Sequence, residues 1–380
     1  MLNVVILGIT SLLTDISSEM IYPILPIYLV TVLGASPAIL GLIEGIAESA
    51  SSLLKIFSGY FSDKLKKRKF LTIIGYSSSV VGKYFVYLAL SWPYFLAGRV
   101  ADRFGKGIRT APRDALIAES AKADKRGAAF GLHRAMDTLG AVIGVLIAYY
   151  FVINARSNLR NLFLWALIPG FLGVFFLFIL REKKSAPAVQ GQKPQFRWKA
   201  LDKRLKLFFI FTFIFTLGNS SNQFLLLRAK DLGNPLYLVI LFYLVYNITY
   251  ALTSYPAAWL SDKIGRKNIL VLGYFFYGLV YLGFAVNASA QAFWLLFGLY
   301  GFYMGFTDGV EKALVSDISS PELRGTTLGI HAMLVGIGLF PASVLAGLLW
   351  KFLGPSATFY FGAVMGITSS FGLWFILKGL

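Results

Sequence analysis

The chain has 380 residues, 57% of them hydrophobic, and carries 36 basic against 18 acidic side chains, a formal net charge of +18. Its mean hydropathy of +0.68 is far above that of a water-soluble globular chain, so most of it is built for a lipid solvent. The lack of cysteine excludes disulfides and thiolate metal sites, and with His133 and His331 as the two histidines no protein-built metal centre and no cofactor is expected.

A bilayer span needs about 20 mainly apolar residues, and its backbone groups must be satisfied within the spanning element. The apolar runs here are continuous and do not alternate with period two, so they predict helices. Six fall near 2–33, 38–60, 70–90, 93–118, 127–153 and 162–180, and six more near 206–229, 236–260, 270–287, 291–317, 326–350 and 356–378. The opening run lacks the basic flank and small-residue cleavage site of a signal peptide and reads as the start of the first span. Between the sixth and seventh spans, Arg181 to Lys206 is basic, proline-bearing and poor in apolar residues, which is the composition of a linker. The predicted division is residues 1–180 as one six-helix bundle, 181–206 as a cytoplasmic linker and 207–380 as a second six-helix bundle.

Lysine and arginine concentrate on alternate loops: Lys64 to Lys69 after the second span, the central linker, and Lys263, Arg266 and Lys267 after the eighth. These loops are expected to face the cytoplasm, with both termini inside, in a multi-pass protein of the inner (plasma) membrane. The positive charge is thereby assigned to topology and the lipid bilayer, not to nucleic acid.

The halves repeat. FSDKLKKRK at 61–69 returns as LSDKIGRKN at 260–268, and Arg126-Gly127 followed by Gly131 returns as Arg324-Gly325 followed by Gly329. The offsets are 199 for Asp63 and Asp262 and 198 for the arginines. An all-α membrane protein of twelve transmembrane helices follows, in two six-helix bundles related by pseudo-two-fold symmetry about the membrane normal, with the solute site expected near the midplane between them.

The segment Gly59 to Lys69 resembles the loop signature of the major facilitator superfamily, roughly G-x-x-x-D-[R/K]-x-G-R-[R/K]. Lys66 replaces the second glycine in this copy, and Gly265 keeps it in the other. The resemblance spans the chain and implies the major facilitator fold, transport by alternating access, function as a monomer, and a gating role for Gly59, Asp63, Arg68, Asp262 and Arg266. Within the superfamily the chain resembles the drug/metabolite:proton antiporter-like branch. Val145 departs from that branch's glycine-proline motif, and Gly140, Gly144 and Ala148 read equally as a close-packing face.

The fourth span is the most informative. Arg99, Asp102, Arg103, Lys106, Arg109 and Arg113 recur every three or four residues and share one face. Charges inside a bilayer cost about 2.5–3.5 kcal/mol each even on insertion scales, so that face must meet partners or water. Candidate partners are Asp15 and Glu19 on the first span, Glu44 and Glu48 on the second, and Asp137 on the fifth; the first two pairs each place two carboxylates on one face. The second half offers Asn222, where the repeat has lost the acid of Glu19, together with Tyr246 and Glu311. His331 reads as a packed polar residue.

These residues point to a secondary active transporter of a small organic solute, anionic or zwitterionic given the excess of cations, coupled to protons and working as an exporter. Uptake of the same solute, or a non-transporting receptor or scaffold on a transporter fold, are the alternatives. No Walker loop, catalytic-triad spacing or metal-ligand helix is present, so an enzyme is not expected. Protease added outside right-side-out vesicles should leave Arg181–Lys206 intact; cleavage there would overturn the topology.

Overall fold

A computed structural model of the chain describes residues 2–65, 67–122, 125–154, 159–182, 202–287, 289–319 and 324–376, without the side chains of Asp63, Arg324 and Gly325. Most of the linker therefore lies outside the described residues. Among the described residues there is no strand. The elements are α1 (Leu2–Ile21), α2 (Leu25–Ile27) with a π-helical turn at Tyr28–Val32, α3 (Pro37–Leu65), α4 (Arg68–Leu88), α5 (Trp92–Ser120), α6 (Arg126–Asn154) and α7 (Arg160–Phe178). They continue with α8 (Lys203–Gly218), α9 (Gln223–Asp231), α10 (Leu236–Ile264), α11 (Arg266–Val286), α12 (Ala292–Ile318), α13 (Arg324–Leu353) and α14 (Pro355–Ile376).

All twelve predicted spans are helical, with the first and seventh interrupted. Pro23 and Pro26 interrupt the first, since each removes a backbone donor and crowds the preceding turn. The second and eighth spans run further than expected, to Leu65 and Ile264, carrying their aspartates on helix ends. Gly265 then turns the chain at φ 93°, a conformation that favours glycine. Seven of the described helices are long and apolar enough to cross a bilayer on composition alone. The α3, α4, α5, α8–α9 and α12 spans do not meet that standard, and they carry much of the buried polar chemistry.

The chain forms two compact units. The first is Met1–Ala35, Ile46–Gln190 and Pro235–Leu244; the second is Ser36–Gly45, Gly191–Asn234 and Val245–Leu380. The start of α3 thus belongs to the second unit and the start of α10 to the first.

In the first unit, α4 and α5 touch backbone to backbone. A Cβ on Gly82 would fall on the Asp102 backbone, one on Gly105 on the Gly75 carbonyl, and one on Gly98 would stand 2.8 Å from the Gly82 oxygen. The predicted packing face on α6 is present as well: Gly140 and Gly144 lie against the Leu12 and Ile16 carbonyls of α1, and Ala148 is fully buried. These glycines position the site, because they let α1, α4, α5 and α6 approach closely enough for short polar side chains to meet.

In the second unit, the seventh span breaks at Asn219–Asn222. The freed Gly218 carbonyl accepts from Tyr277 Oη at 2.7 Å, and the Asn219 amide turns back to Phe215 and Thr216. Around the break Tyr274, Tyr277, Tyr281, Tyr300 and Tyr303 are all under 2% exposed, so the aromatic content of this half is a buried hydroxyl-bearing core.

Overpacking a filled core costs about 1–3 kcal/mol. Gly105→Val is therefore expected to lower the melting temperature of purified protein clearly, whereas Gly131→Ala, with nothing within 4 Å of its Cβ, should leave it unchanged or slightly raised. Equal effects would overturn the close-packing account.

Candidate functional site

Of the predicted residues, Asp15, Glu19, Glu48, Arg99, Asp102, Arg103, Lys106 and Arg109 line one cavity of about 180 Å³ in the first unit, together with Lys83, Tyr22 and Tyr243. Five cations and four carboxylates face it. The site was expected between the halves; this cavity is lined entirely by the first unit, which takes Tyr243 from the second half of the sequence.

The α5 face supplies most of the charge. Arg99 Nη1 stands 3.4 Å from Asp102 Oδ2, and Arg103 Nε is 2.9 Å from Glu48 Oε1, with its Nη1 3.8 Å from Asp102. Arg99, Asp102 and Arg103 are each more than nine-tenths buried, so Asp102 is shared by two guanidinium groups, which offsets part of their desolvation. Arg109 donates a short hydrogen bond to Ser79 Oγ and lies 4.4 Å above the Tyr76 ring. Its neighbours are thus a hydroxyl and an aromatic face, and among the described residues it forms no ion pair with the acids expected as its partners.

On α1, Glu19 accepts from Tyr243 Oη at 2.9 Å, and Tyr243 stacks on Tyr22. Lys83, under 2% exposed, donates to Ser17 Oγ at 2.8 Å. Sequence reasoning passed over Lys83, although a single lysine inside the apolar run of α4 was the signal that could have found it.

Two cavity groups lack direct partners. Among the described residues neither the Lys106 ammonium nor the Asp15 carboxylate makes a hydrogen bond or an ion pair, and Lys106 is exposed to the cavity. Every other charged group named in the lining has a protein partner.

The remaining candidates lie elsewhere. Glu44 and Glu48 do not act as a pair: Glu44, fully buried in the second unit, accepts from Ser221 Oγ at 3.3 Å beside the break in the seventh span. One helical turn separates them, and α3 changes unit within that turn. Arg113 follows Pro112 on α5 and closes on Asp114 at 2.9 Å. Asp137 accepts from Ser11 Oγ and stands 3.8 Å from His133. Asn222 donates to Tyr246 Oη at 3.3 Å and accepts from Tyr300 Oη at 2.7 Å, while Glu311 accepts from Tyr274 Oη at 3.0 Å. One turn further along α10, Tyr250 donates to Asp308 Oδ2 at 2.9 Å.

At the signature loops, Gly59 leaves its side open to Ala111. Arg68 pairs with Glu119, and its amide donates to Glu182 Oε1 at 2.7 Å. In the second copy Arg266 bridges Asp262 at 3.3 Å and Asp317 at 2.7 Å. The Asp63 side chain lies outside the described residues.

The profile of the Major Facilitator Superfamily matches residues 7–227 and 207–379. The chain belongs to the Major Facilitator Superfamily. It is 43% identical to an uncharacterised MFS-type transporter of Methanocaldococcus jannaschii over 98% of this chain and 94% of that one. It is 23% identical to the multidrug resistance protein MdtH of Photorhabdus laumondii, over 86% of this chain and 82% of that one. Among solved structures, the nucleoside transporter NupG superposes with a TM-score of 0.83 at 15% identity, each chain fully covered; at that identity the likeness shows the fold. The superfamily assignment makes the chain a multi-pass membrane transporter and not an enzyme.

Arg103→Ala leaves Glu48 and Asp102 without their shared cation and is expected to lower the melting temperature, with Glu48→Ala in the same chain restoring part of the loss. A double-mutant coupling of about 1–3 kcal/mol is expected; strictly additive losses would show that the pair contributes nothing.

Proposed function

We propose that this chain is a proton-coupled transporter that exports a small anionic or zwitterionic organic solute by alternating access, using the first-unit cavity as its solute site. The observation that carries this reading is the pair of partnerless groups in an otherwise paired charged cavity. Lys106 is an ammonium open to the cavity, and Asp15 is a carboxylate within its electrostatic reach. A protein that needed the charges only for stability would have paired them all, since an unpaired charge away from water is costly. Lys106 is the group that takes the anionic part of a solute, and Asp15 takes either the cationic part or a proton.

The cavity volume limits the solute. At about 180 Å³ it is close to the ~150 Å³ that admits a benzene-sized ligand in an engineered protein cavity, so the solute has on the order of ten non-hydrogen atoms. Export is favoured by the similarity to a relative named as a multidrug resistance protein. In this reading both termini are cytoplasmic, the protein works as a monomer in the plasma membrane, and residues 1–180 and 207–380 act as two bundles that the linker joins. The loops holding Arg68 and Arg266 then serve as cytoplasmic latches.

Thermal unfolding of purified protein against amino acids, monocarboxylates and simple amines tests the reading. A ligand at about 100 times its Kd stabilises by about 2.7 kcal/mol. Acids or amino acids should raise the melting temperature and amines should not, and Lys106→Gln should abolish the shift while melting like the parent protein without ligand. Stabilisation by amines alone, or an undiminished shift in Lys106→Gln, would overturn the assignment.

A further inference from the structure

Outside the cavity, the chain's two histidines form a pattern that the transport reading does not use. His133 on α6 and His331 on α13 stand 198 residues apart, which is the offset of the Arg-Gly repeat, so they occupy equivalent places in the two halves. Both are at least nine-tenths buried, 4% and 5% exposed. His133 Nδ1 is 3.8 Å from Asp137 Oδ2 in the first unit, and His331 Nε2 is 3.4 Å from Glu311 Oε2 in the second.

The two acids are held alike. In each site a hydroxyl holds the other carboxylate oxygen: Ser11 donates to Asp137 Oδ1, and Tyr274 donates to Glu311 Oε1 at 3.0 Å. The rings are turned differently: His133 points Nδ1 toward its acid and buries Nε2 without a hydrogen-bond partner, whereas His331 points Nε2, buried and making no hydrogen bond, toward Glu311. A hydroxyl–carboxylate–imidazole row is thus built twice.

The two rows are not simple copies. The place equivalent to Asp137 holds Val335, and the place equivalent to Glu311 holds Arg113. Each half therefore supplies its acid from a different position, Asp137 from the histidine's own helix and Glu311 from α12, yet each places a hydroxyl-held carboxylate beside a buried imidazole. A histidine retained only as packing would not need an acid rebuilt beside it.

We propose that Ser11–Asp137–His133 and Tyr274–Glu311–His331 are a matched pair of proton-binding sites, one in each unit, outside the solute cavity. Each imidazole binds one solvated proton from the aqueous phase and holds it as an imidazolium against its carboxylate; release returns the neutral ring and the proton to the aqueous phase. Imidazole is the side chain whose charge changes between about pH 5 and 8. The other charges around His133 are Arg134 on α6, Arg113 and Asp114 on α5, and Asp15 on α1, which interacts with Asp137. Around His331, α12 adds the Asp308–Lys312 pair beyond Glu311, α11 adds Tyr274, and α8 contributes the Phe208 and Phe209 rings, with its charges Lys203, Arg204 and Lys206 confined to its first turn. The α14 segment Pro355–Ile376 carries no charged residue.

Two histidines make the test direct. In protein carrying ¹⁵N-labelled histidine, NMR of the ring nitrogens should show two imidazoles that both switch between neutral and charged forms within about pH 5–8, with His133→Gln and His331→Gln each removing one ring's pair of signals. Asp137→Asn should move the switch of His133, and Glu311→Gln that of His331, by about one pH unit to more acidic values, because the charge that favours the imidazolium is gone. Two rings that stay neutral across the range, a single switching ring, or switches unmoved by removal of the acids would each overturn the proposal. Should an acid variant fail to fold, the parent titration still decides whether both rings switch. No solute is added, so failure of the solute assignment and failure of this one are read separately.

Discussion

A charge in lipid must be either paired or hydrated, and that constraint shapes the first unit. The α5 helix carries Arg99, Asp102, Arg103, Lys106 and Arg109 within a stretch that has to cross a bilayer, and no rotation of an isolated helix hides them all. The backbone contact with α4 resolves this. Gly75, Gly82, Gly98 and Gly105 bring the two helices together until Ser79 reaches both the Asp102 carbonyl, at 3.1 Å, and Arg109. The α5 face is then set against the acids of α1 and α3. Small residues at one contact thus permit large charges at another.

The second unit applies the same rule with neutral groups. Where α1 carries Glu19, the repeat carries Asn222, and the helix breaks there. At the break the Gly218 carbonyl accepts from the Tyr277 hydroxyl and the Asn222 side chain meets those of Tyr246 and Tyr300, polar groups that an aromatic core can bury at modest cost. The two halves share a repeat and the superfamily fold but divide the chemistry: one holds a charged cavity, the other a polar break in an aromatic core. The histidine–carboxylate rows are the main exception, since they occur in both.

Much was legible in the sequence because it depends on local regularities. Span number, repeat offset and superfamily follow from apolar run length, loop charge and the Asp63 and Asp262 motifs. The cavity face of α5 follows from helical periodicity alone, and eight of the candidate residues do line one cavity. The packing role of Gly140 and Gly144 was likewise readable from spacing.

What the sequence could not determine is which charge meets which, because partners on different helices carry no spacing signal. Glu44 and Glu48 look alike as an i,i+4 pair, but helix contacts send one to Ser221 and the other to Arg103. Lys83 stands in an otherwise apolar run and Tyr243 on an apolar span, and only the approach of α1 sets Ser17 against the one and Glu19 against the other. The sequence by itself determined the number of helices, their repeat and the sign of the charge they bury. Tertiary structure alone decided which charges neutralise each other and which two, Lys106 and Asp15, are left open, since that depends on interhelical distances of a few ångströms that glycine contacts far along the chain establish.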